Sequence, residues 1–206
     1  MSRALVLMSG GIDSAVALAW AQQKHDELVA ISFLYFLRPF RERLAVQRLL
    51  QTYRAKLIEA PVPFLRESVD LPDPLPGVPE GYISNRNLVF YSIAGYFAEV
   101  HRCDAIVGGH NREDSEDFPD AAASFFSLLE SLTNRALLSR KVRIELPLAE
   151  WSKRQVLEHA VRWKVPLECT WSCYWDAPVP CGTCASCAER ASAFTELGIS
   201  DPLLKS

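Results

Sequence analysis

The segment that most constrains this chain is residues 4–14, ALVLMSGGIDS, where a short apolar run breaks at Ser9-Gly10-Gly11-Ile12-Asp13-Ser14 and passes into helix-forming sequence. A strand that delivers the backbone to two glycines and then to a helix has the grammar of an anion-binding loop. The glycines let backbone N–H groups approach an anion and point at it together. Ser9 and Ser14 add hydroxyl donors, and the helix that follows presents its positive dipole end. The loop runs over Met8, Ser9, Gly10, Gly11, Ile12, Asp13 and Ser14. It lacks the lysine of the G-x-x-x-x-G-K-[ST] pattern, which argues against a kinase or GTPase cradle. The competing reading is a tight strand-to-helix turn that holds no ligand.

The rest of the chain extends this start into a fold. Residues 15–24 carry Val16, Leu18 and Trp20 among alanines, which predicts a helix packed closely on a sheet. Residues 28–35 are a second continuous apolar run of strand length. Ala45, Val46, Leu49, Leu50 and Tyr53 then follow at helical spacing, and residues 56–60 read as another strand. Strands that are apolar throughout are buried on both faces, so these βαβ units predict an α/β fold, a three-layer open, mainly parallel sheet flanked by helices. Residues 61–80 hold six of the 13 prolines and are expected to form a long loop. Residues 87–100, apolar almost all round, predict a deeply buried helix. Residues 104–109 supply a strand and its glycine turn. Ligands of such sheets gather beyond the carboxyl ends of the strands, so residues 9–14 and 109–120 are expected on one crevice, with His110 the histidine placed for a functional role. A helix at roughly 122–134 shows a stripe of Phe125, Phe126, Leu128, Leu129 and Leu132, and residues 142–146 form a short strand. Ser152-Lys153-Arg154-Gln155 matches a capping box opening a helix with Val156, Leu157, Ala160 and Val161 on one face.

At 206 residues, 49% apolar and 23% charged, the chain is sized for one substantial core with a small appendage. Its longest apolar runs are too short for a membrane span, and no leader precedes the first strand, so a cytoplasmic location is expected. A net charge of −3 without a Lys/Arg run speaks against broad electrostatic binding of nucleic acid and favours a small substrate. Five of the six cysteines lie beyond Glu168, four of them as Cys173-x7-Cys181-x2-Cys184-x2-Cys187. Crowded thiols without a secretion signal point to a metal before a disulfide. Four thiolates saturate tetrahedral Zn²⁺ and leave no position for a catalytic water, so the site reads as structural. Iron–sulfur ligation is the competing assignment. Cys103 and Cys169 read as small hydrophobes.

Ser9 to Ser14, the tail Thr170-Trp171-Ser172-Cys173-Tyr174 with Cys181 to Cys187, and then Arg190, Ala193, Phe194 and Gly198 to Pro202 closely resemble the 7-cyano-7-deazaguanine synthase family of the ATP-pyrophosphatase (PP-loop) class. The resemblance extends to Tyr82 through Asn87, to Gly109 through Asp120 with its Phe118-Pro119-Asp120, and to Pro147-Leu148 followed by Lys153. It implies a PP-loop domain over 1–165 (adenine nucleotide alpha hydrolase-like) and a zinc-binding segment over 166–206. The activity it implies is ATP-dependent conversion of 7-carboxy-7-deazaguanine and ammonia, through an adenylated acid and an amide, to the nitrile. ATP, Mg²⁺ and Zn²⁺ are the implied cofactors, with Asp13, Ser14 and Lys153 catalytic and Asp13 or Asp114 as partners of the Mg²⁺. Arg86, Asn87, Asp114 and Asp120 are implied to bind substrate, Asn87 having a helix cap as its alternative role. Family members are commonly homodimers. The chain departs from the family pattern at Tyr35-Phe36-Leu37-Arg38-Pro39-Phe40, where a glycine and a histidine are missing, and at Ala121-Ala122-Ala123-Ser124-Phe125, where alanines replace a polar set. These departures motivate another reading, in which the same activated acid is delivered to an amine of a protein or nucleic acid; a non-enzymatic module that binds a nucleotide and assembles with a partner is a separate alternative. A tRNA-thiolating PP-loop enzyme is a further alternative, which would require a reactive cysteine pair or an iron–sulfur cluster and a basic face.

Overall fold

The computed structural model describes residues 1–36, 38–73, 75–78 and 81–205. Leu37, in the divergent 35–40 segment, and Pro74, Pro79 and Glu80, in the proline-rich stretch, lie outside the described residues. Five strands, β1 (Arg3–Leu7), β2 (Glu27–Leu34), β3 (Lys56–Pro61), β4 (Ala105–Val107) and β5 (Arg143–Glu145), form one sheet in the order β3-β2-β1-β4-β5, and every pairing is parallel. The helices are α1 (Ile12–Lys24), α2 (Phe40–Tyr53), α3 (Arg86–Val100), α4 (Arg112–Asp117), α5 (Ala123–Ala136), α6 (Lys153–Arg162) and α7 (Ala185–Glu196).

Alternation along the strands sorts side chains into two cores, one on each face of the sheet. Ala4 and Val6 of β1, with Ala105 and Val107 of β4, pack with α1, α2, α6 and α7 through Val16, Val46, Leu157 and Phe194. The residues between them, Leu5 and Ile106, face Tyr91 and Ala94 of α3 and Phe126 and Leu129 of α5. The expected three layers are therefore present, and both faces of the central strands are dry. Strand order reverses between β1 and β4. Neighbouring loops there part beyond the strands' carboxyl ends and leave a crevice at the point the doubly wound topology predisposes for ligands.

Three sequence expectations need correction. The segment from 87 to 100 is not buried all round: α3 lies in an outer layer, inserting Asn87, Tyr91, Ala94 and Ala98, while Leu88, Tyr96 and Val100 are exposed. The apolar stripe on α5 likewise splits, Phe126 and Leu129 turning inward and Leu128 and Leu132 outward, because only the i, i+3 pair faces the sheet. On α6, Val156, Leu157 and Ala160 are buried and Val161 is exposed. The boundaries of α1 also shift. It begins at Ile12, which places Asp13 in its first turn, a favourable position for a carboxylate near the helix's positive end. Between β3 and α3 the described backbone contains one short 3₁₀ turn, Ser68–Asp70. The predicted capping box is formed: the Ser152 side chain accepts from Gln155 N–H and the Gln155 side chain from Ser152 N–H.

Candidate active site

The loop after β1 is held by its own hydroxyls. Ser14 Oγ accepts from Gly10 N–H at 3.2 Å and donates to Gly11 O at 3.0 Å, while Ser9 Oγ accepts from Gly11 N–H at 3.2 Å and donates to Ser14 Oγ. The two glycine N–H groups that sequence alone offered to an anion are thus already engaged within the loop. What faces outward is the start of α1, where Gly11 is the N-cap and provides no side-chain cap, so the helix's first N–H groups have no side chain of their own to bond. Gly10 sits at φ +96°, and a Cβ there would lie 2.5 Å from the Glu42 carbonyl oxygen of α2. Gly109, after β4, approaches the other side: a Cβ would stand 2.9 Å from the backbone of Asp13. Ile12 is buried in the core and Met8 is buried beneath the loop.

Around this loop the topology opens a cleft of about 800 Å³. Met8, Ser9, Asp13, Ser14, Arg86, Asn87, Asp114 and Lys153 contribute to its walls, together with His110. Residues 140 positions apart meet here: Lys153, in the first turn of α6, places its ammonium 2.5 Å from Asp13 Oδ2. Burial opposes the charge on Lys153, but Asp13, with Asp114 and Glu189 beyond, holds the ammonium above its usual range. Asp13 Oδ1 accepts from Asn111 Nδ2 at 3.3 Å. Asn111 is itself fixed by a capping box at the start of α4, in which Asp114 Oδ2 accepts the Asn111 N–H at 2.9 Å. Burial, and then the charge of Asp13, raises the Asp114 carboxyl to about 6. Burial and the nearby Arg86 press His110 down to about 4, so its imidazole is neutral at pH 7.

Two implied substrate residues prove to hold each other. Asn87 is not the cap of α3, a position taken by Asn85 in the left-handed conformation. Its backbone N–H donates to Asp120 Oδ2 at 3.1 Å and its side-chain amide to Asp120 O at 3.0 Å, fastening the turn before α5 onto α3. Asp120 stands behind the cleft wall, with Phe118 and Ala121 on either side of it lining the cavity.

Sequence reasoning missed Arg38 as a structural element of the site. Its guanidinium, with the side chain 4% exposed, donates to Ser9 O at 2.6 Å, Phe33 O at 2.5 Å, Ser32 Oγ at 2.8 Å and Glu42 Oε2 at 2.9 Å. It thereby clamps the ends of β1 and β2 to α2, and the phosphate loop rests on that clamp. Tyr35 and Glu42 stand beside it; burial raises the pKa of both, and at Glu42 the charge and hydrogen bond of Arg38 work against that rise. Spacing signals only the i,i+4 pairing of Arg38 with Glu42; the contacts with Ser9 O, Phe33 O and Ser32 Oγ, which complete the clamp, depend on how the fold brings the ends of β1 and β2 together.

The cysteine tail lies next to the loop; its Tyr174 and, from α7, Ser186, Glu189 and Ala193 line the cleft, and its four clustered cysteines are not among the described lining residues. The sulfurs of Cys173, Cys181, Cys184 and Cys187 are all within 4.8 Å of one another. Trp175 and Cys181 donate their N–H groups to Cys173 Sγ, and Thr183 and Cys184 donate theirs to Cys181 Sγ, the donor pattern that favours thiolates. Buried Arg190 of α7 pairs with Asp201 and donates to Thr170 Oγ1 and Leu167 O. That fixes the strand-like stretch whose Trp171 N–H bonds Gly10 O at 2.8 Å. Cys103 is fully buried and Cys169 half-buried.

A parallel sheet in this order, with a serine- and glycine-bearing loop at its switch point, defines a protein of the PP-loop class, and solved structures share the fold. A U34-tRNA thiolase from Methanococcus maripaludis with its [4Fe-4S] cluster superposes with a TM-score of 0.55 at 19% identity over 95% of this chain and 66% of the thiolase. A 4-thiouridine synthetase in complex with RNA and ATP gives 0.53 at 20% identity over 96% of this chain and 50% of the synthetase. The sequence profile described as "Queuosine biosynthesis protein QueC" matches residues 3–198. A 7-cyano-7-deazaguanine synthase of Thermoplasma volcanium is 33% identical over 98% of this chain and 90% of its own length, and one of Methanosarcina mazei is 32% identical over 98% of each. The chain belongs to the QueC family.

Proposed function

We propose that the protein is an ATP-dependent carbon–nitrogen ligase that converts 7-carboxy-7-deazaguanine and ammonia to the nitrile. The observation that carries this reading is family membership over nearly the whole chain together with a cleft that joins the α1 loop to a substrate-sized space. A carboxylate is a poor electrophile, so its oxygen must become a leaving group before nitrogen attacks. Attack by the acid on the α-phosphorus of ATP forms the acyl adenylate and releases pyrophosphate. Ammonia then displaces AMP and gives the amide. The amide oxygen leaves in the same manner: it takes up a second adenylyl group, the nitrogen loses its protons, and AMP departs to leave the nitrile.

This chain's residues are suited to those steps. The open N-terminus of α1, Ser9, Ser14 and the Lys153 ammonium would stabilise the charge that develops on departing pyrophosphate. Asp13 and Asp114 are the carboxylates that would hold Mg²⁺, which neutralises phosphate charge when bound. Neutral His110 and Asn111 offer polar edges without adding charge. For the tail, the donor set fits Zn²⁺: a tetrahedron with Zn–S of about 2.3 Å has sulfurs about 3.8 Å apart, and Cys181 and Cys187 stand at 3.9 Å. Four sulfurs converging on one point suit a single ion better than the corners of an iron–sulfur cube. None of the four lines the cleft among the described residues, which weakens the thiolation alternative. Acid-dependent exchange of labelled pyrophosphate into ATP, measured without ammonia, is expected from the adenylation step, and its absence would overturn the reading.

A further inference from the structure

Five cationic side chains of the described residues line the cleft, and four of them have ion-pair partners: Arg38 with Glu42, Arg112 with Glu113 and Glu116, Arg154 with Glu158, and Lys153 with Asp13. Lys153 is committed to Asp13 at the α1 loop. Arg86, the first residue of α3, comes from the opposite face of the sheet and lines the same cleft. Among the described residues no carboxylate lies within 4.0 Å of its guanidinium, and no side-chain hydrogen bond engages it. Its charge is nonetheless felt on both sides, at His110 and Asp114 toward the loop and at Tyr35 and Glu42 toward the far wall. A half-buried guanidinium left without an anion in the middle of a cavity is a planar two-pronged donor matched to a carboxylate.

Resting on the proposed ligase activity, we infer that Arg86 grips the carboxylate of the incoming acid and thereby makes the cleft prefer the acid over the amide derived from it. The lining supports this: Arg86 shares one cleft with the α1 loop and Lys153 and with Tyr35, Glu42 and Phe90, so a flat bicyclic acid and a nucleotide can both be within its reach. The charge logic supports it as well. The acid is anionic, whereas the amide of the same ring is neutral and of nearly the same shape, so a cation at this point discriminates the two. Once the carboxylate has been consumed the grip is lost, and Arg86 contributes little to the second activation.

The test is binding of 7-carboxy-7-deazaguanine and of its carboxamide to the full-length protein, by calorimetry, for wild type, Arg86→Gln and Arg86→Lys. Wild type is expected to bind the acid at least tenfold more tightly than the amide. Arg86→Gln should weaken acid binding about 10- to 100-fold, the worth of a charge-assisted contact, while amide binding and ATP binding stay within about threefold. Arg86→Lys should restore part of the preference. Equal affinity of wild type for acid and amide, equal loss of both in Arg86→Gln, or a loss of ATP affinity instead would overturn the inference, the last assigning Arg86 to phosphate. Formation of nitrile is read separately on the same samples: its absence counts against the ligase reading, and the acid-versus-amide comparison still decides the role of Arg86.

Discussion

At the scale of single residues, the site is organised by charges whose partners come from distant sequence. Asp13 is bracketed by Lys153 on one oxygen and Asn111 on the other, so its carboxylate is oriented before any ligand arrives. Asp114 is raised to about 6 by burial first and by the charge of Asp13 second. It therefore holds a proton at pH 5, where an unfolded aspartate has lost it. The group opposes folding fully above pH 6, and that opposition fades as pH falls. If ionised Asp114 serves the nucleotide, acid-dependent pyrophosphate release should fall as pH drops through about 6. Asp114→Asn should flatten that limb while lowering the plateau; a limb unchanged in the variant would exclude Asp114 as its source. Single residues also mark what was readable in advance. The loop serines and glycines and the four cysteines were legible because their chemistry is carried by short spacing. The Arg38 clamp and the Asn87–Asp120 tie were not, because one side of each depends on chain brought in by the fold.

At the scale of elements, the loop between β1 and α1 is wedged between α2 and the turn after β4, and its two glycines do different work. Gly10 needs its positive φ and has the Glu42 carbonyl 2.5 Å from where a Cβ would stand. Gly10→Ala should cost more than about 2 kcal/mol, from backbone strain and displaced α2, seen as a lowered thermal midpoint. Gly11 has φ −79°, and its Cβ would meet Ser9 Oγ at 3.4 Å and Trp171 O at 3.8 Å, both ordinary van der Waals contacts. Gly11→Ala should leave the melting temperature nearly unchanged while weakening ATP binding, since it crowds the open end of α1. Equal behaviour of the two variants would mean that the α1 terminus does not hold the nucleotide. The element pattern was legible for the strands, whose apolar runs reflect burial on both faces. It failed for α3 and α5, where composition resembles a buried helix but position places one side outward.

At the scale of the whole molecule, the cysteine tail and the sheet form one mechanical unit. Arg190 and Asp201 fix residues 167–172, and Trp171 fastens them to Gly10, so order in the tail is transmitted to the phosphate loop. The tail also contributes Ala193 and Phe194 to the core against α1. Purified protein should contain about one zinc per chain and no visible iron–sulfur absorbance. Removing the metal with a chelator, or substituting Cys184→Ser, should lower the thermal midpoint and increase amide exchange at residues 8–14 as well as in the tail; exchange confined to the tail would break the proposed link. No described helix is long and apolar enough to cross a membrane. The central claim is that this cleft carries a deazaguanine acid and ammonia through to the nitrile, and it is tested most directly by mass spectrometry of products formed from 7-carboxy-7-deazaguanine, ATP, Mg²⁺ and ¹⁵N-ammonium. The expected product is the nitrile carrying one ¹⁵N, whereas accumulation of adenylate or amide with no nitrile would contradict it.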